Sequence, residues 1–487
     1  MDLLPLWIAL GIIAAALAAF VIKLNVSAAL MKKKARDTSG TRKNVDAETQ
    51  KKYAEGLAEL IKLQTVADGK HDDQFAAFRE ELKRQFPLLH ERAELKIFGD
   101  GCLIYRVRGK NSRKNVMIMS HHDVVEGEGD WKYPPFGAVI ADGAMWGRGT
   151  VDTKTPLFAE LTAVEELLAE GCCFEGADVW IGSSCNEEIG GNGIPCAVEY
   201  FKQNGIRFDV VLDEGGAVVS GMMPGVKQKS AMVAVHEKGR HTYVCTAETT
   251  DKGHLGLNPT KSNVIDRMSG FIREVKTTER FGRDLYPEVR AMFEKHAPYM
   301  NYPMRLLFSN IGVFKRLLLK VLPLFSSQVG GMLGTTMNFT SVEGRERTTQ
   351  IQAKTVKATA FFRCVREETL EKEMKDFRRI AAKYGVEVTP ELRDYCRPFS
   401  ASQEQFKRLE EVLNENYPDV IVSPYLLTAG TDARSFTDVA DCILRFAPID
   451  LNPQQFASVH SPDENITLSN IGECVCFYKD FVRKQCQ

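Results

Sequence analysis

The chain lacks the cysteine spacing of a metal knuckle: its 12 Cys are scattered and no CxxC pair occurs. At this chain length such cysteines read as buried free thiols rather than as a disulfide framework. Charge of one sign is also missing. With 63 basic and 64 acidic residues the formal charge is -1, so there is no basic excess of the kind nucleic-acid binding needs. No internal repeat or low-complexity tract is present. What is there, 487 residues with 44% hydrophobic and 26% charged, suffices for two or three domains around a substantial core.

The amino terminus has no basic region ahead of its apolar run, since only Met1 and Asp2 precede Leu3 to Ile22. That run is about 20 residues, close to the length that spans a bilayer as a helix. A cleaved signal peptide normally carries a basic start and a shorter apolar core. Here the basic residues follow instead, at Lys23, Lys32, Lys33, Lys34, Arg36 and Arg42. The expectation is a single-pass anchor over residues 1–31 with the body on the cytoplasmic side, and a polar linker over 32–46. A secreted or extracytoplasmic body is the alternative, because Ala15 to Ala19 could hold a small-residue cleavage site.

Further along, apolar residues recur at helical spacing over 47–63 and 75–86. Strands are predicted at 97–107, 115–120, around 137–146, at 178–182 and at 208–212, with helices over 154–170 and 194–204. This alternation predicts an α/β unit with helices on both faces of a central sheet. From 236 to 378 the character changes. Strand-like Thr242 to Ala247, a helical pattern over 263–275, an irregular stretch holding Pro287, Pro298 and Pro303, and strands at 334–342 and 355–362 suggest a smaller inserted domain. The apolar run Phe314 to Phe325 is too short for a second span, and reads as a helix under a lid or in a subunit contact. Helices over 370–384, 406–413 and 471–481 and strands near Val386 and at 442–445 complete the chain, whose first domain would comprise 47–235 and 379–487.

Polar residues cluster after the strands. Met119-Ser120-His121-His122-Asp123 ends one apolar stretch, and His121 with Asp123 can aim an imidazole at a metal while a carboxylate fixes the ring. His122 points the other way along an extended segment, so packing or a hydrogen bond to substrate is expected rather than metal binding. Asp152 follows Gly147-Arg148-Gly149 near a helix start, Glu187-Glu188 follows Ser183-Ser184, Asp213-Glu214 ends a third strand, and His460 lies far downstream. In open α/β sheets the ligand crevice lies beyond the carboxyl ends of the strands. Several carboxylates collected on one such edge suggest a cation.

These motifs resemble the M20 family of zinc aminoacylases and carboxypeptidases, and within it the carboxypeptidase S and secreted N-acyl-amino-acid hydrolase branch. The resemblance covers nearly everything after about residue 45. It implies a zinc-exopeptidase-like α/β catalytic domain with a mixed central sheet, interrupted by a smaller α+β lid or dimerisation domain over 236–378. It further implies that His121, Asp152, Glu188, Glu214 and His460 bind two zinc ions, with cobalt or manganese as substitutes. Asp152 would bridge, Asp123 would orient His121, and Asp213 is the less favoured choice beside Glu214. Glu187 would move the proton of a metal-activated water. Gly253-His254 resembles the lid histidine that polarises the scissile carbonyl, and Thr431-Asp432-Ala433-Arg434 resembles the loop whose arginine grips a carboxylate. Where the family carries Asn-Val-x-Pro this chain has Thr348-Thr349-Gln350-Ile351-Gln352-Ala353, so Gln350 or Asn338 would have to contact the substrate backbone. The expected activity is hydrolysis of an N-acyl amino acid or short peptide bearing a free carboxylate, by a membrane-anchored enzyme, with a homodimer through the lid as a further expectation. The competing reading is a membrane-tethered scaffold that keeps the fold without turnover.

Overall fold

The computed structural model describes residues 4–249, 263–278, 281–344, 353–394 and 403–486. Among them, ten strands form one mixed sheet. At its centre Lys114–His121, Ala177–Ser184 and Val210–Asp213 run parallel, and Ile443–Arg445 runs the same way beside Val210–Asp213. These strands are apolar almost throughout because both faces are covered. Alternate residues point to opposite sides. Val116, Ile118, Val179, Ile181 and Leu212 meet the helix Lys154–Ala169, whereas Met117, Met119, Trp180 and Val211 pack with the helix Gly193–Gln203 and Phe436. Parallel direction then delivers His121, the 185–188 loop and Asp213-Glu214 to one edge of the sheet.

The carboxyl-terminal segment returns to the same edge. Its helix Leu468–Gln485 packs on Lys154–Ala169, and Asn465–Thr467 pairs with Ala144–Trp146, Asn465 lying opposite Trp146. This pairing sets the 458–464 turn beside the 147–152 loop.

A second, four-stranded antiparallel sheet has the order Thr336–Glu343, Thr355–Cys364, Gly239–Glu248, Val386–Asp394. Alternate residues of Gly239–Glu248 are buried, so only one face is covered, by the helices Val264–Thr277 and Glu367–Lys383. Phe271, Met374 and Phe377 fill that core against Tyr243 and Phe362. The expected boundary at 378 falls inside the second of these helices, and the small sheet continues to Asp394.

The stretch around the three prolines differs more. It is helical, as Pro287–His296 and Tyr302–Ser309, and the expected apolar helix follows as Ile311–Phe325, with Ser327–Met332 after it. Pro287 and Pro303 stand in first turns, where amides have no intrahelical partner to lose. Val289, Met292 and Phe293 share the core of the large sheet with Val422 and Leu426, so residues 287–332 pack with the large sheet rather than with the small one. Ile311–Phe325 lies there too, not beneath the smaller domain.

The 33–46 segment has neither helix nor strand, yet it is no free tether. Arg42 makes a two-pronged contact with Asp419, 2.8 Å for each bond, and reaches Asp450 at 2.7 Å and Glu473 at 3.1 Å. Planar, bidentate recognition of this kind is specific to arginine. Arg42→Met should leave Asp419 and Glu473 without their cation, while Asp450 keeps Lys229 at 2.5 Å, and cost about 3 kcal/mol. A urea midpoint of the full chain in detergent that does not move would show the segment to be loose.

Candidate metal centre

The edge of the large sheet carries a compact set of imidazoles and carboxylates. His121 Nε2 lies 2.9 Å from Asp152 Oδ1, and His460 Nε2 lies 3.0 Å from both Asp152 Oδ2 and Glu188 Oε2. Asp152 thus presents one oxygen to each histidine. Possible ligand atoms of His121, Asp152 and Glu188 all lie within 4.8 Å of one another.

Each residue is held by its neighbours. Thr153 Oγ1 donates to His121 O at 3.0 Å and accepts from His121 N at 3.1 Å, locking the strand end to the 150–153 loop. The Asp152–Thr153 peptide is cis. Gly149 has φ +88°, and a Cβ there would stand 2.9 Å from Val124 Cγ1, so this turn requires glycine on both counts. His460 itself has φ 58°, an uncommon conformation for a residue with a side chain, and it aims the ring at Asp152.

Asp123 behaves differently from expectation in one respect. His121 Nδ1 donates to the backbone carbonyl of Asp123 at 2.9 Å, while the Asp123 carboxylate is 3.5 Å away. Either acceptor leaves Nε2 directed at the site. The fully buried carboxylate instead accepts the amides of Glu187 at 3.2 Å and Glu188 at 3.0 Å. It therefore positions the two glutamates as well as backing the histidine.

The electrostatics follow from this crowding. Burial opposes the charged form of His121, but hydrogen bonds to Asp123 and Asp152 outweigh it and hold the imidazole well above its ordinary value. His460 is raised to about 10 by Asp152 and Glu188. For Asp152 burial is outweighed by the two imidazoles, and its carboxyl sits below the usual range. Glu187 is pushed up to about 8, chiefly by burial, with His121 opposing and Asp432, Asp152 and Glu188 adding to the rise. Glu214 is raised by burial and by the charges of Asp213 and Asp152. Such a set attracts positive charge between its carboxylates, and Glu188 Oε1 is buried with no hydrogen-bond partner. Two imidazoles, a carboxylate facing both and further glutamates are a donor set suited to divalent transition metals.

The remaining expected residues fall as follows. Glu214 lines the same cavity as Asp152, Glu187, Glu188 and His460. Asp213 is occupied otherwise, accepting the amides of Glu214 and Ala433 at 2.9 Å each. Thr431 also lines the cavity, with its amide donating to Glu237 Oε2 at 3.2 Å and its hydroxyl accepting from Arg445 at 3.3 Å. Arg434 lies 3.9 Å from Glu187 and donates to Asp394 of the small sheet at 3.0 Å. Asn338 is on an exposed part of the small sheet beside Lys276, 3.2 Å away, and is not among the residues that line the cavity. His254 and Gln350 lie outside the described residues. His122 is packed, stacked on Phe78 with Nδ1 2.7 Å from Ser183 Oγ, and burial pushes it down to about 3.

Glu464 is the residue that sequence reasoning missed. It is fully buried and accepts from Arg148 at 2.7 Å and from the amides of Gly149, Val151 and Asp152 at 3.1, 2.7 and 3.1 Å. One carboxylate thereby fixes the loop that presents Asp152 to the turn that presents His460. In Ser461-Pro462-Asp463-Glu464 it reads as a surface acid, and only its place after His460 hinted otherwise.

The cavity occupies about 440 Å³. Besides the polar cluster, its lining includes Met222, Met332, Leu427, Ile449 and Leu451. Residues 117–484 match the model of peptidase family M20/M25/M40. The chain belongs to this family. It is 27% identical over 445 residues to a probable carboxypeptidase S-like 2 of Dictyostelium discoideum, covering 88% of this chain and 84% of that one. It is 28% identical over 452 residues to N-fatty-acyl-amino acid synthase/hydrolase PM20D1.1 of Danio rerio, covering 88% and 85%. The fold matches that of the M20 family metallo-carboxypeptidase Sso-CP2 from Sulfolobus solfataricus, with TM-score 0.66, 18% identity and coverage of 91% and 100%. The chain is accordingly a metal-dependent hydrolase, which sets aside the scaffold reading.

Glu464→Gln keeps the size of the side chain but weakens its acceptance of Arg148 and three amides. Metal retained after dialysis of the purified protein should fall, with apparent affinity lower by about 10- to 100-fold. Unchanged retention would mean that the 147–152 loop holds its shape without this carboxylate.

Proposed function

We propose that this M20 hydrolase cleaves the amide bond of N-acyl amino acids whose acyl group is long and apolar. The observation that carries this reading is the cavity, in which a cluster of ionisable groups adjoins a wall of methionine, leucine and isoleucine side chains. A similarly sized cleft for a polar dipeptide would have little use for that wall. The relative named as an N-fatty-acyl-amino acid synthase/hydrolase supports the same direction.

In this reading His121, Asp152, Glu188, Glu214 and His460 would hold two zinc ions. Bound there, the ions would acidify water and polarise the scissile carbonyl. The residues of the chain divide the remaining tasks. Asp123 fixes His121 and the backbone of both glutamates. Glu187 takes the proton of the attacking water and passes it to the leaving nitrogen, a double task that suits a carboxyl whose proton affinity burial has raised. Arg434, 3.9 Å from Glu187, binds the carboxylate of the amino acid, with Asp394 holding the guanidinium in place until substrate arrives. Bidentate binding by arginine orients the substrate in a way lysine could not.

A panel of N-acyl amino acids from acetyl to long-chain groups, with dipeptides, tests the reading in the presence of Zn²⁺, Co²⁺ or Mn²⁺. Each methylene that enters the apolar wall is worth about 0.8 kcal/mol, so kcat/KM should climb with chain length until the wall is covered. Flat or inverted dependence would refute the acyl assignment, and dipeptide turnover alone would favour a carboxypeptidase. Glu187→Gln should lower kcat by about 10²- to 10⁴-fold while metal content stays as in the parent, and full activity of that variant would remove Glu187 from the reaction. Met222→Trp, which fills part of the apolar wall, should move the preference toward shorter acyl groups with little change for the acetyl substrate.

A further inference from the structure

The amino-terminal helix Leu4–Lys32 does not stand apart from the catalytic body. Trp7, Ile12, Leu17 and Ile22 along its first part are exposed, whereas Leu24 and Ala28 are buried against the body. Asn310 Nδ2 donates to Leu24 O at 3.1 Å, Ser27 Oγ donates to Ser309 O at 3.1 Å, and Tyr302 OH donates to Asn25 Oδ1. The part that precedes this dock, residues 4–22, is roughly 28 Å of helix, against a hydrocarbon core of about 30 Å. A bilayer spanned by it ends where the helices Tyr302–Ser309 and Ile311–Phe325 begin.

Ile311–Phe325 carries two apolar stripes. Ile311, Leu318 and Leu322 are buried in the body. Val313, Leu317 and Leu324 follow one another on a different face and are 55%, 49% and 82% exposed. Exposed Arg316 and Lys320 border this second stripe on one side. A helix on a watery surface needs only the first stripe, and a second, with a basic margin, is the pattern of a helix lying in the lipid interface. Lys32, Lys33 and Lys34, just past the dock, add positive charge at the same level, where anionic headgroups attract it.

We propose that the face made by Val313, Leu317 and Leu324 is seated in the interfacial layer of a membrane spanned by residues 4–22, with Arg316 and Lys320 among anionic headgroups. The body is then held at two points and keeps one orientation to the bilayer. The next helix, Ser327–Met332, contributes Gln328 and Met332 to the lining of the cavity. If the substrate is a lipid-borne acyl amino acid, its chain meets the cavity wall one short helix away from the membrane. That consequence rests on the proposed function, whereas the seating does not.

Tryptophan emission of the full chain in vesicles of anionic lipid tests the seating without any activity measurement. The difference between the parent and Trp7→Phe reports the anchor, and lipids brominated deep in their chains should quench it. In the Trp7→Phe background, Leu324→Trp places a reporter at an outward position where it disturbs no packing. Its emission should shift to the blue and lose roughly half its intensity with bromines near the headgroup end, at the shallow depth of an interfacial helix. Leu95→Trp, on an exposed strand at the far edge of the large sheet, should be unaffected. Quenching of Trp7 without quenching at 324 would overturn the proposal and leave the face to a second copy or another protein. Absence of quenching at Trp7 would overturn it as well, by removing the membrane from the amino-terminal helix.

Discussion

A carboxylate buried away from water must find donors, and the place where Asp123 finds them organises the rest of the site. Its oxygens take the amides of Glu187 and Glu188, so the loop after Ala177–Ser184 is tied to the end of Lys114–His121. The same residue supplies the carbonyl that accepts from His121 Nδ1. One side chain thereby relates His121, Glu187 and Glu188. Parallel pairing of the two strands, with His121 opposite Ser184, is what brings these parts within reach.

Glu464 has the corresponding role across a much greater distance in sequence. Its four donors all come from 148–152, more than 300 residues earlier. A buried acid with so many donors cannot be exchanged for a neutral group without leaving amides unsatisfied. The position of His460 against Asp152 therefore depends on a contact made by neither of them. The inserted segment acts on the site from another side: Asp394 at the end of the small sheet holds Arg434, so any relative movement of the two units is felt at the guanidinium beside Glu187.

Much of this was legible beforehand for a simple reason. Parallel strands buried on both faces are continuous apolar runs, and polar residues that follow them stand out, which is how His121, Asp152, Glu187, Glu188 and Glu214 could be singled out. His122 was separable from His121 because successive side chains in a strand face opposite ways, and Phe78 now covers its ring. The domain boundaries were less legible. Prolines that begin helices look like breaks, so the stretch holding Pro287, Pro298 and Pro303 read as irregular, and nothing local tells which core an amphipathic helix joins. The strand Ile421–Leu427, with Pro424 inside it, gave no alternating signal either; it pairs with Ser230–Glu237.

The sequence by itself determined the kind of chemistry, because donor atoms and their order along the chain are covalent properties. It also determined the family, the α/β alternation and the presence of an apolar first helix. Tertiary structure decided which of two adjacent acids faces the cavity, Glu214 rather than Asp213, since that depends on Ala433 approaching from another segment. It decided that Asp123 serves the glutamates more closely than the imidazole, that Glu464 joins the two ends of the site, and that apolar side chains line the same cavity as the charges. Each of these depends on distances between residues far apart in the chain, and such distances are set by the packing of the whole sheet and its helices rather than by any local pattern.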